Sequence, residues 1–134
     1  MSLVFADTGF YVALVNPSDQ CHRVAVREAV RLANVVTTDY ILLELANFLR
    51  RPHQRTFFLE IERDLRCDDT SIVVPASRDL MDRGIDLFKN RPDKDWSLTD
   101  CISFVVMQEY GVTEALIGDG HFEQAGFVAL LVDR

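Results

Sequence analysis

Short apolar runs of β type alternate along this chain with longer segments of helical period. Few architectures accept that alternation, and the leading one is a parallel sheet with helices wound over both faces. The runs fall at residues 3–6, 35–38, 71–74, 114–117 and 127–131, and each predicts a strand. Between them Val26, Ala29, Val30 and Ala33 recur at helical spacing after a start at Ser18 or Asp19, and Phe57, Phe58, Ile61 and Leu65 do so further on. Both sets predict amphipathic cover for the sheet. Pro52 separates a helix over residues 40–51 from its successor, while Pro75 followed by Ser77 marks a strand end and a helix start. Residues 98–110 are apolar on nearly every face, the mark of a buried helix, with Ser97 to cap it and Gly111 to stop it.

At 134 residues and 49% apolar, the chain has the size and composition of one domain with a core of its own. Its three cysteines, Cys21, Cys67 and Cys101, are an odd number at spacings unlike any disulfide or zinc framework, so they read as reduced thiols. With no apolar stretch long enough to span a bilayer and no secretory leader, the expected location is cytoplasmic, away from membranes. The formal net charge of −7 argues against a protein that grips nucleic acid by bulk charge. That excess is not spread evenly. Residues 95–133 hold seven acids and no Lys or Arg, while acids and bases balance over the rest. An uncompensated acidic cluster calls for a cation, a basic partner or a solubilising face.

Open parallel α/β sheets bind ligands beyond the carboxyl ends of their strands, where the winding direction reverses. Asp7 closes the first strand, Asp119 closes the fourth, Glu44 lies in the helix after the second, and Asp100 lies in the first turn of the buried helix. Each has a plainer reading. Asp7 can cap the helix starting at Thr8, Asp100 can complete a capping box with Ser97, and Asp119-Gly120 is a common turn pair. Glu44, flanked by Leu43 and Leu45, either faces solvent on a narrow polar stripe or carries a heavy burial cost. Four such acids at one sheet edge could not all stay ionised without a cation. Carboxylate oxygens without His or Cys companions suit hard divalent ions, and the natural chemistry of such a site is phosphate-ester hydrolysis. Asp93 and Asp95 could add an outer ligand.

Asp7-Thr8 after the first strand, Glu44 within Thr38-Asp39-Tyr40-Ile41-Leu42-Leu43-Glu44, Asp100 within Trp96-Ser97-Leu98-Thr99-Asp100, and Asp119 within Asp119-Gly120-His121-Phe122 together resemble the PIN-domain nucleases. The likeness is greatest to the VapC-type toxins of toxin–antitoxin pairs and runs over essentially the whole chain. It implies one PIN-like domain over residues 1–134, with a five-stranded parallel sheet ordered 3-2-1-4-5 between helical layers. It also implies a magnesium- or manganese-dependent ribonuclease with Asp7, Glu44, Asp100 and Asp119 as its metal site and Thr8, Thr99 and Ser103 in support. A homodimer and an inhibiting antitoxin are implied as partners. Gly118 departs from the family habit of Thr or Ser before the fourth acid.

RNA needs something positive to hold it. Twelve of the 14 basic residues are Arg, and Arg50, Arg51 and Arg55 follow the helix that carries Glu44, as an RNA contact or as ordinary helix-end charges. Tyr11, Tyr40 and Trp96 are candidates for stacking on bases, with packing as the plainer role. Two other functions remain on this reading: a PIN-like scaffold without catalysis, and a stand-alone RNA-processing nuclease. Receiver-like and haloacid-dehalogenase-like phosphate chemistry fit poorly, because Asp7-Thr8-Gly9 lacks the second acid each requires.

Overall fold

A computed structural model describes residues 3–31, 34–118 and 120–131. Five parallel strands form one sheet: β1 (Val4–Ala6), β2 (Val35–Thr38), β3 (Ile72–Val74), β4 (Glu114–Leu116) and β5 (Val128–Ala129), in the order β3-β2-β1-β4-β5. The helices are α1 (Thr8–Val15), α2 (His22–Arg31), α3 (Asp39–Phe48), α4 (Pro52–Cys67), α5 (Arg78–Asn90), α6 (Leu98–Glu109) and α7 (His121–Gln124). Strand order and layering are those expected.

Successive strand residues feed opposite faces. Val4 and Ala6 join the core under α1–α4, while Phe5 between them joins the core under α5–α7. Val35 and Val36 divide in the same way, as do Leu116 and Ala115. With both faces covered, β1 is buried throughout and β2 and β4 nearly so, which is why those strands read as apolar runs, whereas the edge strands β3 and β5 are only partly covered. The fifth strand is shorter than its apolar run suggests. Contact nevertheless continues past it, because Leu130 N–H donates to Ala115 O at 2.9 Å and Leu131 N–H to Ile117 O at 3.1 Å.

Two helix expectations need correction. The second helix starts at His22, not at Ser18 or Asp19, because Asn16 and Asp19 turn their side chains onto the backbone amides of Ser18 and Cys21 and hold residues 17–21 in tight turns. The face it buries is Val24, Ala25 and Glu28, leaving Val26 and Val30 exposed, while Ala33 lies outside the described residues. Burial of Glu28 is tolerated because Arg31 and Arg27 reach its carboxylate, at 3.2 and 3.8 Å. The third helix stops at Phe48, short of Arg51, whose extended backbone (φ −68, ψ 147) is what a following proline demands.

Buried α6 is as expected, with every residue from Cys101 to Met107 inside. It packs so closely on α5 that a Cβ on Gly84 would sit 2.4 Å from Ile102 Cγ1. Gly84→Ala is therefore expected to lower stability by about 1–2 kcal/mol despite the better helix propensity of alanine, read as an earlier denaturation midpoint. Among the described residues no helix is long and apolar enough to cross a membrane.

Candidate active site

The winding direction reverses between β1 and β4, so the crevice at their carboxyl ends is where this fold offers a ligand site. Asp7 stands there, at the N-cap position of α1. Its side chain makes no well-formed capping hydrogen bond, although the first amides of α1 lie close to it. It is 9% exposed and its carboxyl is pushed up from 3.8 to about 7. Burial is the largest cause, followed by the charges of Asp100 and then Glu44, and the nearby amides of Thr8 and Gly9 oppose the rise without cancelling it. Asp100 on α6 and Glu44 on α3 are thus close enough for their charges to act on Asp7 at the crevice.

Asp100 fills the first of its expected roles, that of completing the α6 cap. Ser97 Oγ accepts from the Asp100 amide at 3.0 Å and Asp100 Oδ2 accepts from the Ser97 amide at 3.2 Å, a complete capping box. The same Oδ2 lies 3.1 Å from His121 Nδ1, whose ring N–H donates to it. Asp100 is held from two sides, by the α6 cap and by α7. Sequence reasoning missed His121, and its signal was slight: a histidine two residues beyond the fourth acid. Glu44 is exposed on α3, so the cost of burying it does not arise. Asp119 lies outside the described residues.

The supporting residues divide. Thr8 Oγ1 and Ser103 Oγ are buried with no hydrogen-bond partner, one next to Asp7 in the chain and the other a helical turn after Asp100. Two orphaned hydroxyls beside crowded carboxylates are what a hydrated cation would satisfy. Thr99 is half-buried at the start of α6. The donor chemistry fits a hard divalent ion, although among the described residues no three His, Cys, Asp or Glu side chains gather tightly enough to hold one alone. Asp93 is no ligand, being paired with Arg91 through two 3.0 Å hydrogen bonds.

Gly118 has a steric explanation. A Cβ there would lie 3.3 Å from Leu131 O and 3.4 Å from Cys21 Sγ, so a Thr or Ser would have to displace the end of the chain. Of the candidate RNA contacts, Arg50 donates to Asn47 O and Arg55 to Arg50 O, closing the turn between α3 and α4. Arg51 is the exposed N-cap of α4. The aromatic candidates serve packing: Tyr11 is buried, Tyr40 donates to Ser77 O, and Trp96 donates to Gln124.

Sheet order and acidic crevice together define a doubly wound α/β protein with a carboxylate site at its switch point. The chain belongs to the PIN domain family, whose model matches residues 4–128. It is similar to the 23S rRNA-specific endonuclease VapC20 of Mycobacterium tuberculosis, from strains CDC 1551 / Oshkosh and ATCC 25618 / H37Rv. The two are 29% identical over 127 residues, 94% of this chain and 96% of the relative. The crystal structure of the M. tuberculosis VapC20, described as a Sarcin-Ricin loop cleaving toxin, superposes with a TM-score of 0.82 at 29% identity, covering 95% of this chain and 97% of that one.

Proposed function

We propose that this chain is a divalent-metal-dependent endoribonuclease that hydrolyses RNA phosphodiester bonds, and that it is the toxin of a toxin–antitoxin pair. The observation that carries the reading is the buried Asp7 carboxyl at the switch point, raised further by the charges of Asp100 and Glu44, with the orphaned Thr8 and Ser103 hydroxyls next to Asp7 and one turn after Asp100 in the chain. Asp7, Glu44 and Asp100, joined by Asp119, would hold the ion. Bound there, magnesium or manganese orients a phosphate, lowers the pKa of an attacking water and offsets charge on the leaving oxygen. Asp7 must give up its proton to serve. Asp100 needs no such reorganisation, since Ser97 and His121 fix its carboxylate in advance. The Thr8 and Ser103 hydroxyls are free to bond water or a phosphate oxygen.

Partners follow from exposed apolar side chains. Val30 on α2, Leu43 and Phe48 on α3, and Phe57 and Leu59 on α4 are 85%, 62%, 56%, 42% and 64% exposed. Of these, Phe48 and Phe57 line one groove together with Val12 and Val15, and a contiguous apolar face there supports the reading of a homodimer and an antitoxin. The sarcin–ricin loop cut by the mycobacterial relative is the first RNA to try. The expected result is cleavage with manganese or magnesium, none in chelator, and loss of cleavage in Asp100→Asn. The ion should raise the melting temperature of the wild-type chain by several degrees and that of the variant by much less. Cleavage that survives the substitution, or needs no metal, would refute the assignment.

A further inference from the structure

Between the end of α5 and the start of α6 lies a cleft of ≈ 410 Å³ whose wall includes Phe88, Lys89, Arg91, Lys94, Trp96 and Cys101. It holds both lysines of a chain whose net charge is −7. Asp95 is the single acid on that wall. Arg91 is committed to the scaffold: it pairs with Asp93 at 3.0 Å and lies over the Trp96 ring, 5.0 Å from its centroid. Lys89 and Lys94 make no ion pair among the described residues, although Asp93 is near enough to Lys94 for its charge to be felt. Phe88 is 50% exposed, an aromatic ring left at the rim where it adds little to the core.

The cleft wall adjoins the acidic site along the chain. Trp96 on its wall precedes Ser97, whose amide donates to the Asp100 carboxylate at 3.2 Å, and Cys101 on its wall follows Asp100 directly. Two ammonium groups beside an exposed aromatic ring are the pairing that single-stranded nucleic acid selects, phosphate on the cations and base on the ring.

We infer that the α5–α6 cleft is a nucleotide subsite, in which Lys89 and Lys94 hold a phosphate and Phe88 stacks on the base, next to the acidic site. As a place on the substrate's path it rests on the ribonuclease reading above, whereas its affinity for a nucleotide does not. Trp96, the sole tryptophan of the chain, lies on the wall and is a built-in reporter.

Adenosine 5′-monophosphate, titrated in chelator into the full chain and read by Trp96 emission excited at the red edge of the indole band, is expected to give a saturable change. Adenosine and inorganic phosphate should each bind at least about ten-fold more weakly, having one of the two contacts. Phe88→Ala, and separately Lys89→Gln with Lys94→Gln, should each weaken the nucleotide by about ten-fold with the melting temperature unchanged. The double variant Arg23→Gln with Arg63→Gln removes equal charge from other helices and should bind as the wild type does. No saturable change, unaltered affinity in the cleft variants, or an equal loss in the distant pair would overturn the subsite. Nucleotide binding by a chain that cuts no RNA in manganese would leave the subsite standing and remove the nuclease reading instead.

Discussion

Asp7→Asn is expected to abolish RNA cleavage, by about a thousand-fold or more, while making the metal-free protein more stable at neutral pH. The catalytic loss follows from removing a carboxylate that would bind the ion, worth about 4 kcal/mol of transition-state stabilisation at that fold-change. The gain in stability follows from the same burial. The native carboxyl sits at about 7 against an ordinary 3.8, so the folded state holds its proton more tightly than the unfolded chain does. Between those two values stability falls as pH rises, and above about pH 7 the full deficit, about 4 kcal/mol, remains. Below about pH 4 both states are protonated and the deficit disappears. Asparagine keeps the shape and carries no charge. In chelator at pH 8 the variant should melt roughly 10 °C above the wild type, with the difference closing as pH approaches 4. A divalent ion should reverse the order by stabilising the wild type alone. Cleavage within ten-fold of wild type by Asp7→Asn would place the chemistry elsewhere.

That a single buried aspartate at the switch point raises both expectations bears on what was legible beforehand. The central strands were readable because both of their faces are covered, so Val35–Thr38 stands out as an uninterrupted β-favouring run. The bounds of α6 were readable because Ser97 and Gly111, the latter at φ 66, cap it by local chemistry. Asp7 stood out at a strand end, Asp100 at a helix start and Glu44 by its apolar neighbours, and the structure brings the charges of Asp100 and Glu44 within reach of Asp7. Local pattern could not decide between cap and site for Asp100, because making the cap does not preclude the same side chain from serving a site.

What escaped sequence reasoning depends on contacts between distant segments. His121 meets Asp100 across 21 positions, and no spacing rule announces that pairing. The buried face of α2 was misjudged because apolar periodicity favours Val26 and Val30, whereas the helix turns in Glu28, whose charge is met by Arg31 and Arg27. The α5–α6 cleft was passed over for a related reason. Lys89 and Lys94 look like scattered surface charges until Phe88 and Trp96 are placed beside them.

The largest loss of stability is expected from Phe104→Ala, and its effect should reach the acidic site. Phe104 is 1% exposed and its ring meets Trp96, Phe122 and Phe127 at centroid distances of 5.0, 4.8 and 5.6 Å. Removing a buried phenyl costs about 3–5 kcal/mol through lost transfer energy and the cavity left behind. Two of the three contacts are edge-on, each worth about 0.5–1.5 kcal/mol beyond burial, which puts the loss at the upper end of that range. The melting temperature should fall by roughly 10–20 °C. Trp96 leads directly into the Ser97 cap that holds Asp100, and Phe122 follows His121, which holds the same carboxylate from the other side. A slack aromatic cluster therefore loosens both restraints on Asp100 at once. Measured well below the new melting temperature, cleavage by Phe104→Ala should drop further than its folded fraction does, mainly in kcat. Phe104→Leu, which fills most of the space, should lose about 1–1.5 kcal/mol and retain most activity. Activity that merely tracks the folded fraction in both variants would show that the cluster supports the fold alone and leaves Asp100 in place.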